Sequence, residues 1–138
     1  MAEFIFKDIA KKAGREKDFY VISKATHPDN IWNGSGAPIY SHAQTCLNQH
    51  GIPFAKNKEA ALLKKSDYED FDYFIGMDNN NLYFMNKILG GDKEHKIHAL
   101  MEFTKQGGEV ADPWYTRNFE QAYNDISAGC TALFERLK

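Results

Sequence analysis

Three short apolar runs, separated by stretches of helical periodicity, do most to limit what this 138-residue chain can fold into. Residues 19–23 (FYVIS), 73–77 (YFIGM) and 96–103 (KIHALMEF) read as strands of buried type, each too short to be an amphipathic helix. Between them, residues 1–14 put Ala2, Phe6, Ile9, Ala10 and Ala13 on one stripe, and Gly14 stands where a helix would stop. Residues 39–50 are helical in period and end at Gly51. Ser66 and Asp67 suit the start of a short helical turn. Asp78 opens a helix through Leu89, closed by Gly90 and Gly91. From Arg117 or Asn118 onward, Phe119, Ala122, Tyr123, Ile126, Cys130, Leu133, Phe134 and Leu137 recur at spacings of one helical face. Strands that alternate with helices predict an α/β sandwich with a mostly parallel sheet. Residues 24–38, dense in Gly, Pro, Asn and Asp, predict a long loop, and long loops in small domains are often functional.

Composition narrows the partners. A length of 138 residues suits one domain with a single core. With 26% charged residues and a formal net charge of −2, the chain has neither the basic face of a nucleic-acid binder nor an acidic disordered segment. The apolar runs fall far short of the roughly 20 residues that cross a bilayer, and the amphipathic N-terminus is unlike a signal peptide, so a cytoplasmic protein without membrane partners is expected. Two cysteines, with no CxxC and no pair of histidines at ligand spacing, argue against a disulfide framework or a zinc site, and both thiols are expected to be reduced.

The stretch CTALFER, residues 130–136, matches the loose pattern of a cysteine nucleophile followed six positions later by an arginine. A phosphate-binding loop needs sharply turned backbone whose N–H groups converge on one anion ahead of a helix. CTALFER has no glycine and lies inside a helical pattern, where six residues span about 600° of rotation and put Cys130 and Arg136 on different faces. The reading is a buried Cys130 and a surface Arg136. Cys46, with no arginine at useful spacing, is likewise expected to pack in the core.

The stretch ADPWYTRNF, residues 111–119, is better suited to chemistry. A carboxyl group beside a proline that fixes the backbone, followed by two flat aromatics, could present a general acid to a phenolic leaving group. By itself it also suits a turn at Asp112-Pro113 followed by an N-cap at Asn118.

Taken with residues 1–14 (MAEFIFKDIAKKAG) and 71–81 (FDYFIGMDNNN), residues 111–130 make the chain resemble the low-molecular-weight protein tyrosine phosphatases along essentially its whole length. The resemblance implies a three-layer α/β domain that hydrolyses phosphotyrosine, or a small aryl phosphate, through a cysteinyl-phosphate with no cofactor and no metal. It implies that Asp112 protonates the leaving oxygen and then activates water. It implies that Trp114 and Tyr115 line the substrate cleft, that Asp78 supports the cleft, and that Trp32, in the variable loop, supplies a further wall. In that family a strand and a Cys-x5-Arg-Ser-Pro loop lead directly into a helix beginning much like Met1-Ala2-Glu3. The resemblance therefore implies a sheet without its first strand and a domain without its nucleophile or phosphate-binding arginine, hence no turnover by this chain as written. An open slot between residues 19–23 and 73–77 would follow, which a homo-oligomer could fill by exchanging a strand or segment. Two alternatives are a non-catalytic binding or assembly module and an enzyme like the arsenate reductases. The tandem aromatics favour an aryl substrate over a small oxyanion.

Overall fold

The computed structural model describes residues 1–26, 31–32, 35–36, 41–55, 59–111 and 113–138, with Ile31, Trp32, Ser35, Gly36, Trp114 and Tyr115 described as backbone only. The helices follow the sequence periodicity closely. α1 spans Ala2–Lys12, α2 Ser41–Gln49, α3 Asp67–Asp70, α4 Asn79–Leu89, α5 Pro113–Thr116 and α6 Phe119–Leu137. Gly14, Gly51 and Gly90 stand just beyond three of these helices with φ of 73°, 69° and 77°, the left-handed conformation that stops a helix at little cost for glycine. Asp78 accepts a hydrogen bond from the Asn81 amide at 2.8 Å, and Asn118 one from the Gln121 amide at 3.0 Å. Each caps the helix that follows it.

The strands are shorter than the apolar runs. β1 (Ile31–Trp32) and β2 (Ser35–Gly36) form a small antiparallel pair within the predicted loop. β3 (Phe74–Gly76) and β4 (Ile97–Ala99) pair in parallel, with Phe74 opposite Ile97 and Gly76 opposite Ala99. Side chains alternate across this pair: Phe74 and Ile97 join Met85 and Leu89 of α4 in one cluster. Ile75, on the other side, packs against the cluster formed by α1, α2 and α6. The result is α4 on one side of the sheet and α1, α2 and α6 on the other, the three-layer α/β arrangement expected.

Two strand expectations are corrected. Residues 19–23 form no strand. Their side chains still alternate, with Phe19 and Val21 against the core and Tyr20 and Ile22 exposed. A ladder needs a partner, however, and among the described residues the pairing arrives only at Ala25, which makes an isolated parallel bridge to Leu62. The Ser23 amide is taken instead by the buried carboxylate of Glu3 at 3.0 Å, which also accepts from the Ser23 hydroxyl at 2.8 Å and pairs with Lys7 at 2.6 Å. The third run stops being a strand after Ala99 and turns into a 3-10 helix over Leu100–Phe103. That turn drives Leu100 and Met101, 1% and 2% exposed, into the main core. Their seat is α6, where Gly129 leaves the room: a Cβ built there would lie 2.5 Å from Leu100 Cγ.

The burial of α1 is also wider than its predicted stripe. Phe4 and Ile5 are buried beside Phe6 and Ala10, whereas Ala13 is exposed. The first helix is wrapped by Phe19, Phe54 and the end of α6 as well as by the sheet side of the core. Among the described residues no helix is long and apolar enough to cross a membrane.

Candidate active site

The end of β3 and the start of α5 are tied together by backbone and carboxylate contacts. Asp78 fixes the first turn of α4, and Asn81 Oδ1 reaches back to accept from the Met77 amide at 3.0 Å. The Met77 carbonyl accepts from the Val110 amide at 2.9 Å, and Glu109 Oε1 accepts from the Asn79 amide at 3.0 Å. Val110 is 2% exposed, so the chain is anchored in the core two residues before Asp112. Beyond it, α5 turns once, and Arg117 adopts φ of 61° while its amide donates to the Pro113 carbonyl at 2.8 Å. A left-handed non-glycine residue of this kind costs about 1–2 kcal/mol and is held by its surroundings, here the capped start of α6.

This geometry locates the predicted residues unequally. Asp78 is placed as the N-cap of α4, its carboxylate accepting from the Asn81 amide. Asp112 itself, and the side chains of Trp114, Tyr115 and Trp32, lie outside the described residues; the backbone puts Trp114 and Tyr115 in α5 and Trp32 in β1. Glu109, Val110 and Arg117, which hold the two ends of the Asp112 segment, carried no sequence signal. An anchoring residue is recognised by its distant partner, and the partner is unknown until the chain is folded.

Neither cysteine sits in a setting that favours its thiolate. Cys130 is 2% exposed in mid-α6, its Sγ is 3.8 Å from the Ala2 carbonyl, and burial pushes its thiol up to about 12. Arg136 lies on another face, its guanidinium 5.8 Å from the centroid of Phe103, so the CTALFER residues do not converge. Cys46 is 3% exposed, and its thiol too is pushed up, first by burial and then by the neighbouring Glu120 carboxylate. A thiol attacks phosphorus only as its thiolate, and both settings oppose that form.

Cys46 does have company. It lies one helical turn from His50, and both face Glu120 of α6, with one ligand-type atom from each of the three within 4.8 Å of the others. The spacing Cys-x3-His was visible in the sequence, but Glu120, seventy residues further on, was not. A pocket of about 280 Å³ opens beside this group, lined in part by Thr45, Gln49, Arg117 and Asn118.

Comparisons with known proteins bear on the whole chain. The family described as low molecular weight phosphotyrosine protein phosphatase matches residues 1–138. The chain is 31% identical over 140 residues to the low molecular weight protein-tyrosine-phosphatase YfkJ of Bacillus subtilis, covering 100% of this chain and 86% of that protein. It is 36% identical over 116 residues to the low molecular weight protein-tyrosine-phosphatase PtpA of Staphylococcus haemolyticus, covering 83% and 70%. Crystal structures agree: YfkJ superposes with a TM-score of 0.89 at 30% identity, over 99% of this chain and 84% of that one. The low molecular weight protein tyrosine phosphatase SP-PTP of Streptococcus pyogenes gives 0.84 at 32% identity, over 99% and 83%. With a match along its full length, and relatives of this identity and coverage, the chain belongs to the low molecular weight phosphotyrosine protein phosphatase family.

Proposed function

We propose that this chain provides the leaving-group side of a phosphotyrosine phosphatase and that the 138-residue polypeptide alone does not turn substrate over. The observation that carries the second half is the state of its two thiols, both buried and both held in the neutral form. In this reading Asp112 gives its proton to the phenolic oxygen as the P–O bond breaks and then takes one from the attacking water. Trp114 and Tyr115 hold the aryl ring, Trp32 adds a wall, and Asp78 keeps the supporting turn in place. What supports these roles is the family match together with the anchoring of residues 109–110 to Met77 and Asn79.

The test separates the proton donor from the nucleophile. A chimaera in which a strand and Cys-x5-Arg-Ser-Pro loop from a family relative precede residue 1 is expected to hydrolyse p-nitrophenyl phosphate. In that chimaera Asp112→Ala is expected to lower kcat by about 10²–10⁴-fold, the usual worth of a positioned acid. An active chimaera indifferent to Asp112→Ala would overturn the assignment.

A second reading concerns assembly. Residues 19–23 alternate like a strand yet form no ladder with any described strand, and Tyr20, Ile22 and Tyr73 are exposed by 77%, 37% and 44%. An unpaired edge with apolar side chains favours association with a second copy. We place the protein in the reducing cytoplasm, a reading supported by its two unpaired cysteines.

A further inference from the structure

We propose that Cys46, His50 and Glu120 form a zinc-binding site that clamps the end of α2 to the first turn of α6. His50 Nε2 lies 2.9 Å and 3.0 Å from the two Glu120 oxygens, and Cys46 Sγ lies 3.7 Å from Glu120 Oε1. Zinc bonded to sulfur, nitrogen and oxygen at ordinary lengths sets those donor atoms about 3.3–3.6 Å apart when the geometry is tetrahedral. The Cys46–Glu120 and His50–Glu120 separations are each within about 0.5 Å of that spacing, and all three donor atoms lie within 4.8 Å of one another.

The donor set suits the ion. A thiolate and a carboxylate neutralise a dication, and a neutral imidazole completes a mixed sulfur, nitrogen and oxygen set of the kind zinc accepts. His50 is held for the purpose: its ring stacks on Tyr123 with centroids 3.7 Å apart and planes 9° apart, which fixes where Nε2 points. The fourth position would face the pocket lined by Thr45, Gln49 and Asn118, open to a water molecule.

His50 and Glu120 satisfy each other on the surface, and the thiol of buried Cys46 reaches the Phe119 carbonyl at 3.7 Å and, at the same distance, the Glu120 carboxylate. Without a cation that neighbour disfavours the thiolate. With zinc between them the thiol proton leaves to solvent, a Zn–S bond takes its place, and the carboxylate becomes a second ligand.

The probe is zinc itself, added to the reduced, chelator-stripped 138-residue chain. The expected result is one tightly held zinc per chain and a rise of several degrees in Tm, as for any ligand that binds only the folded state. Cys46→Ser and His50→Gln are expected to weaken binding by at least about 100-fold, the upper end of what even changes behind a ligand can cost. Glu120→Gln, at an exposed position that leaves the core intact, is expected to weaken it as well, whereas Cys130→Ala is not. Cobalt in the same site is expected to show a thiolate-to-metal charge-transfer band that Cys46→Ser abolishes. Failure to take up zinc, or uptake that survives both Cys46→Ser and Glu120→Gln in variants with native circular dichroism, would overturn the proposal. Because none of these readouts is phosphatase activity, they stand or fall separately from the function proposed above.

Discussion

Cys130 shows how a residue type that invites a catalytic reading is disarmed by its surroundings. Its side chain sits between α1 and α6 among apolar atoms, where a thiolate would lose its hydration, a loss that the Met1 ammonium nearby offsets only in part. Burial raises its native pKa to about 12, above the value near 9 of the unfolded thiol, so the native state holds the proton more tightly. Stability from this group is complete below about pH 9 and is lost as pH climbs towards 12, at up to about 1.4 kcal/mol per pH unit. Denaturant titrations at pH 8 and pH 10.5 are expected to show that fall, and Cys130→Ala is expected to flatten it; an equal fall in the variant would mean that other groups cause it. Asp112 belongs to the same scale: its neighbours in sequence suggested an acid, and the residue itself lies outside the described residues, between the anchored Val110 and the capped start of α6.

Elements show where helical and strand periodicity part company. A helix bonds to itself, so the stripe of α6 from Ala122 to Leu137 and the caps at Asp78 and Asn118 were legible from local residues alone. A strand needs a neighbour, and the run at residues 19–23 kept its alternation while forming no ladder. The switch from β4 to a 3-10 turn at Leu100 was equally hidden, because the room that seats Leu100 is left by a glycine on a different element. That packing is testable. Gly129→Ala should raise intrinsic helix propensity by about 1 kcal/mol, but its methyl would meet Leu100 at 2.5 Å, inside a core that has no room to give. A net loss of about 1–3 kcal/mol is expected by chemical denaturation, and recovery of part of it in Gly129→Ala combined with Leu100→Ala. A stabilised single variant would show that the helix and the turn pack less tightly than described.

For the molecule as a whole, the family match extends over the full chain, while among the described residues the sheet between the layers has two parallel strands. If the exposed edge near Tyr20, Ile22 and Tyr73 is an assembly surface, sedimentation velocity is expected to show a dimer or larger species that Ile22→Lys converts to monomer. A monomer at all concentrations would remove that reading. Activity is the sharper question, because the chain keeps a candidate proton donor but both of its thiols are poor nucleophiles. The most direct measurement is hydrolysis of p-nitrophenyl phosphate by the purified, metal-free 138-residue chain, with Cys46→Ser and Cys130→Ser alongside. The expected result is release of p-nitrophenol at the rate of buffer, with no initial burst and no difference among the three proteins. Turnover that either serine variant abolishes would contradict the account, since it would mean that a thiol buried in α2 or α6 had become a phosphate-attacking thiolate.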